Sequence, residues 1–230
     1  MPHVSRAPAL DLRIPPMWTW TLNWNEIRSD LVVGSCPMAA SDIDVIRDKT
    51  SATAILSLQT DDCRSAFGID RAELTGRADD LGLAFLNTPM LDFNPPDQRA
   101  NLPAAVRALS HLLAADHKVY VHCTAGLNRS PLTVLGYLSF VETMAPDDVV
   151  AFIREARPAA DPSWEAFYGC RQDLVDGLKH HIVMRAYYLS KEYPDGDADR
   201  NWYQAETDVI RQMFTSPRSL PRTRLDPSRP

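Results

Sequence analysis

The chain has 230 residues, 45% of them hydrophobic, enough to bury a full core around one domain of about 150–180 residues with tails. Its net charge of −6 argues against nucleic acid or an anionic membrane as the main partner. No apolar run approaches membrane-spanning length, and the N-terminus lacks the apolar core of a signal peptide and the Ser- and Arg-rich stretch of a transit peptide; a cytoplasmic location is expected unless a targeting segment has been removed.

Residues 1–17 hold Pro2, Pro8, Pro15 and Pro16 with little periodicity and read as a flexible arm. The domain is expected over 18–182. Trp18 and Trp20, on alternate positions, suggest a strand face, and the plainer reading of Trp18, Trp20 and Trp24 is core or edge packing. Asp30 to Ser35 reads as a strand ending at a glycine turn, and Ser41 with Asp44, Ile43 and Ile46 as a capped short helix. Thr53 to Leu58 is the next strand, and Gln59 to Phe67 reads as a polar loop. Asp70 and Glu73 stand in a capping-box relation ahead of Leu74, Ala78 and Leu81, which predicts a helix over 70–81 stopped by Gly82.

Leu83 to Leu86 is a further strand, followed by a proline- and carboxylate-rich loop over 87–97. Leu102, Val106, Leu109 and Leu113 then mark an amphipathic helix that leads into a buried strand ending at His122. After a tight loop, Pro131 sits in the first turn of another helix carrying Leu132, Leu135 and Leu138. A packed helix over 146–154 follows. Arg157 and Pro158 open a loop to a longer helix with Trp164, Phe167, Tyr168, Leu174 and Leu178. Residues 183–216, with Met184, Tyr188 and the stretch from Trp202 to Phe214, form an expected helical extension, and 217–230 an expected disordered tail. Alternating strands and helices imply an α/β fold, a mainly parallel sheet with helices on both faces and ligands at the carboxyl ends of the strands.

The loop between His122 and Pro131 carries the chemistry. Its N–H groups and the following helix N-terminus converge on one centre and favour an anion there. A thiol in that field loses its proton easily, so Cys123 is expected as a thiolate near neutral pH, with Arg129 offering a planar fork to two phosphate oxygens. Gly126 lets the backbone approach the anion. A thiolate and an arginine fork at this spacing form the nucleophile and clamp of phosphate-ester hydrolysis through a cysteinyl-phosphate intermediate. Thr124, Ala125, Gly126, Leu127 and Asn128 complete the phosphate-binding loop. His122 is expected to hydrogen-bond the loop backbone, and Ser130 to help the thiolate leave. A general acid is needed for poor leaving groups, and Asp92 or Asp97, on the loop after the neighbouring strand in the chain, can supply it. Cys36, Cys63, Cys123 and Cys170 show no paired metal-ligand spacing; a reducing compartment is expected, and no metal or cofactor.

The run His122-Cys123-x-x-Gly126-x-x-Arg129-Ser130 resembles the signature of the protein tyrosine and dual-specificity phosphatases, which implies the fold of that family. Asn25 to Ser35, Leu58-Gln59 with the acidic pair after it, Phe67 to Asp70, Asp92-Phe93 with Arg99 and Leu102-Pro103, and Val119 to Gly126 are together similar to the plant glucan phosphatases, relatives of laforin. The likeness covers about residues 24–171. It implies phosphorylated glucan as substrate and Asp92 as the general acid, with Trp24, Phe67, Phe93 and Trp164 as the rings nearest to glucan-gripping roles. Asn128 and Ser130 stand where that family usually has glycine and alanine, and Ala66 and Pro96 where it has aromatics. The alternative substrate is a phosphoprotein bearing phosphotyrosine, phosphoserine or phosphothreonine. Phosphoinositide is disfavoured, since the loop offers no lysine to a polyanionic head group.

Overall fold

The computed structural model describes residues 20–194 and 196–216. The expected arm, Trp18 and the expected tail lie outside the described residues. Five strands, β1 (Trp24–Arg28), β2 (Leu31–Gly34), β3 (Ala54–Ser57), β4 (Ala84–Asn87) and β5 (Val119–His122), form one sheet in the order β1-β2-β5-β3-β4. Among the described residues only β1 runs antiparallel, joined to β2 by a tight turn; the other pairs are parallel.

Period-two alternation sorts the strand residues between two cores. Leu31, Val33, Ala54, Leu56, Val119 and Val121 face the larger one. Val32, Ile55 and Tyr120 face the other. Helices α1 (Ala40–Thr50) and α3 (Arg71–Asp80) cover the smaller core through Ile43, Ile46, Leu74 and Ala78. Helices α4 (Pro95–Ala114), α5 (Arg129–Phe140), α6 (Pro146–Ala156), α7 (Trp164–Glu192) and α8 (Ala198–Thr215) cover the larger one. This is the expected α/β architecture. Strand β5 lies at its centre, buried at every position, so the loop after it opens in the middle of the sheet's carboxyl edge.

Several segments differ from expectation: Trp20, expected on a strand face, lies in irregular chain, and the strand forms at Trp24–Arg28 instead. Residues 59–67 are not wholly loop, because α2 (Asp61–Ala66) forms there, with the Thr60 hydroxyl accepting from the Cys63 N–H and Asp61 and Asp62 in the first turn. Such a helix has no apolar period to read; Arg64 is its one buried residue. Helix α4 begins at Pro95, one turn or more before its apolar stripe, because Asn94 caps the Asp97 N–H and proline is tolerated in the first turn. Helix α7 (Trp164–Glu192) runs unbroken across the boundary between 182 and 183 at which the extension was expected to begin. Ile210 and Phe214 of α8 belong to the main core, with Phe214 stacked on Phe140 at 5.9 Å.

Candidate active site

Cys123 is 2% exposed at the start of the loop, and two donors point at its sulfur: the Gly126 N–H at 3.3 Å and the Ser130 hydroxyl at 3.4 Å. Burial alone would push the thiol up, but the charge of Arg129 and the bonds from Ser130 outweigh it and hold the thiol below the ordinary cysteine range. Gly126 adopts φ 73°, and a Cβ there would stand 2.6 Å from the Gly34 oxygen and 2.7 Å from Arg157 Nη2, so only glycine fits.

Arg129 is fully buried. Its Nη1 donates to the Met90 oxygen at 3.0 Å and approaches Cys63 Sγ at 3.4 Å, while Nη2 donates to Asp92 Oδ2 at 2.8 Å and Thr124 Oγ1 at 3.0 Å. Its Nε meets no partner among the described residues. A buried guanidinium N–H without an acceptor is a donor that an entering phosphate oxygen can take.

The two candidate acids separate by what they touch. Asp92, about a third exposed, faces Arg129 across the loop mouth. Asp97 accepts from the Leu91 N–H at 2.6 Å and so braces the acid loop from behind. Buried Gln98 ties this loop to the phosphate-binding loop, donating to the Leu91 oxygen at 3.1 Å and Asn128 Oδ1 at 2.7 Å. The Asn128 amide in turn donates to the Asp161 oxygen at 2.8 Å. Phe93 sits at φ 49°, the left-handed region, and holds its ring 77% exposed.

The other rings divide. Phe67 is 39% exposed, its ring 6.1 Å from Trp20. Trp24 packs against the smaller core and Trp164 against the larger, stacked on Tyr168 at 5.6 Å. Both are therefore partly occupied by packing, as the core-or-edge reading of Trp24 expected.

Residues 49–168 match the family described as dual specificity phosphatase, catalytic domain. The chain belongs to that family. Its likeness extends to proteins named as phosphoglucan phosphatases. It is 32% identical to phosphoglucan phosphatase DSP4 of Castanea sativa over 70% of this chain and 43% of that one. It is 27% identical to phosphoglucan phosphatase LSF1 of Arabidopsis thaliana, over 70% and 28%, and 29% identical to laforin of Mus musculus, over 66% and 49%. The matched region thus spans less than half the length of each relative. Among solved structures, kinase associated phosphatase aligns with a TM-score of 0.56 at 19% identity, over 70% of this chain and 97% of that one. PTPMT1 gives 0.54 at 19%, over 65% and 92%. These two likenesses bear on the fold.

Several residues at the site were not visible in the sequence: Cys63, Gln98 and Arg157. Cys63 stands on the six-residue helix that spacing missed; burial raises its thiol, but the Thr60 hydroxyl and Arg129 turn the net shift downward. Cys36 lies beneath the loop, its N–H bonded to the Thr124 oxygen, and burial pushes its thiol up to about 12. Among the described residues no helix is long and apolar enough to cross a membrane, and no group of three metal-ligating side chains converges.

His122 is 1% exposed with Nδ1 2.9 Å from the Cys123 oxygen; a carbonyl only accepts, so Nδ1 carries the hydrogen. Burial pushes its pKa down to about 4, against the backbone bond that raises it, so the folded chain holds it neutral. Between its ordinary value and about 4 the unfolded state binds the extra proton, and stability falls as pH falls through that window. The full loss is on the order of 3 kcal/mol. Urea melts at pH 7 and pH 4.5 should show a drop that is smaller in His122→Asn, and equal drops in both proteins would remove His122 as its source.

Proposed function

We propose that this phosphatase removes phosphate from phosphorylated glucan through a cysteinyl-phosphate intermediate. The Cys123 thiolate attacks phosphorus while Asp92 gives a proton to the departing sugar oxygen; the P–O bond breaks as the P–S bond forms. Water then attacks phosphorus, Asp92 takes its proton, and the thiolate leaves with the Ser130 hydroxyl donating to sulfur. Throughout, Arg129 and the loop N–H groups meet the phosphoryl oxygens. All four cysteines are free. This state suits a reducing compartment, and we keep the cytoplasm as the expected one beside the plastids named for two relatives.

The observation that carries the substrate reading is Phe93, an aromatic ring 77% exposed and directly bonded in sequence to the proposed acid. A glucan chain presents flat apolar sugar faces and little charge, so its holder needs rings beside the phosphate pocket; a phosphopeptide can be held by charge and backbone pairing. Phe67, 39% exposed, is the next candidate ring, and Trp24 and Trp164 are partly taken up by core packing. Phe93→Ala should cut kcat/KM on solubilised phosphoglucan about tenfold, roughly 1.4 kcal/mol, and leave para-nitrophenyl phosphate within about twofold. Malto-oligosaccharide should raise Tm in the wild type. Equal losses on both substrates, with no response to malto-oligosaccharide and turnover of phosphopeptides, would move the substrate to phosphoproteins.

A further inference from the structure

Arg157, at the C-terminus of α6, is 6% exposed and spends its guanidinium on neutral oxygens. Nε donates to the Gly126 oxygen at 2.7 Å, and Nη2 to the Ala125 oxygen at 2.8 Å and Asn23 Oδ1 at 2.7 Å. Nη1 donates to Asn25 Oδ1 at 2.8 Å. Among the described residues it makes no ion pair with a carboxylate. Burying a cation against neutral acceptors is costly. The charge it can answer to is across the loop, at the Cys123 sulfur and any bound phosphate.

The peptide bond turns these contacts into an aim. In a planar trans peptide the C=O and the next N–H point in opposite directions. Holding the Ala125 oxygen outward turns the Gly126 N–H inward, where it is found 3.3 Å from Cys123 Sγ. Holding the Gly126 oxygen outward turns the Leu127 N–H the same way. The arginine is itself held in place: Asn23 is anchored to Ser35 by its N–H to Oγ at 3.0 Å and by its oxygen, which accepts the Ser35 N–H at 2.9 Å.

We propose that Arg157 is a positioning residue of the phosphatase reaction, fixing from behind the two loop peptides whose N–H groups receive the phosphate. The proposal rests on the reading of that loop as the phosphate site. Its logic is that of a donor set that must be oriented before the reaction, since reorganising dipoles during charge development costs rate. The contacts also explain why the loop needs Asn23 and Asn25 from the far edge of the sheet: they accept the guanidinium hydrogens that the loop carbonyls leave over.

A cavity of about 410 Å³ borders the clamp, lined by Trp20, Asn23, Asn25, Leu127, Arg157 and Pro158, so a small cation can reach the guanidinium's place. Arg157→Ala should lower kcat/KM on para-nitrophenyl phosphate about 100-fold and weaken competitive inhibition by inorganic phosphate at least about tenfold. Guanidinium chloride at tens of millimolar, far below denaturing levels, should restore about fivefold or more of the lost rate in Arg157→Ala and none in Arg129→Lys or the wild type. A kcat/KM within about threefold of wild type overturns the proposal, as does a loss with unchanged phosphate inhibition and no guanidinium rescue. Should Arg157→Ala fail to fold, Asn25→Leu decides: it keeps the arginine but frees one side, and phosphate inhibition should weaken at least about threefold, while an unchanged inhibition constant overturns the role. Wild-type activity that survives Cys123→Ser would instead sink the reading of the loop itself.

Discussion

Cys123→Ser is expected to lower kcat on para-nitrophenyl phosphate by about 10⁴-fold or more, roughly 5.5 kcal/mol, without loss of fold. The site is built to hold a sulfur anion: Arg129 lies across the loop, and the Gly126 N–H and Ser130 hydroxyl point at Sγ. Those donors are enough to lower a thiol below its ordinary range, but an alcohol starts far higher and stays protonated in the same field. Arg129→Lys should cost about 10³-fold by a different route. A lysine ammonium cannot occupy the places of Nη1 on the Met90 oxygen and Nη2 on Thr124 and Asp92 while also presenting the free Nε to phosphate. Chelators should leave the wild-type rate unchanged. Trapping the phosphoenzyme by rapid acid quench and mass spectrometry should place about 80 Da on Cys123. A Cys123→Ser protein with more than about a hundredth of the wild-type rate, or a rate abolished by chelation, would rule the mechanism out.

The strand, loop and helix around Cys123 were legible because their signals are local: β-branched residues before the loop, a proline just after it, and leucines at helical spacing beyond. The same holds for β2, β3, β4 and α3, whose apolar positions and Asp70 cap lie within a dozen residues. What could not be read is held together by polar contacts between distant segments. Arg157 reaches 31 and 132 residues back to Gly126 and Asn25, and Gln98 reaches 30 forward to Asn128; no periodicity marks either. Helix α2 and the first turn of α4 were missed because their caps, not an apolar stripe, make them. Phe93 was legible as a ring beside an aspartate, but composition announces neither its left-handed φ nor its exposure. Trp24 and Trp164 show the converse: large rings that the family likeness placed at the site and that the fold spends partly on its cores.

Asp92→Asn is expected to separate leaving groups. General acid catalysis contributes where the departing oxygen is a poor leaving group, so kcat on phosphoglucan or another alkyl phosphate should fall about 100-fold or more, while kcat on para-nitrophenyl phosphate falls less than about tenfold. Asp92 Oδ2 takes a hydrogen bond from Arg129 Nη2, the same nitrogen that reaches Thr124, so carboxylate and phosphate compete for one donor. Removing the carboxylate charge also removes a repulsion toward the phosphate dianion. Inorganic phosphate should therefore bind Asp92→Asn no more weakly than wild type, and about threefold more tightly at low salt, where the charge is least screened. Asp97→Asn gives the contrast. Its carboxylate accepts the Leu91 N–H and braces the loop that carries Asp92, so weakening that bond should slow both substrates by similar factors. If Asp92→Asn slows both substrates equally and weakens phosphate binding, Asp92 holds the loop's shape and another group delivers the proton; if Asp97→Asn alone shows the split between leaving groups, Asp97 is the acid.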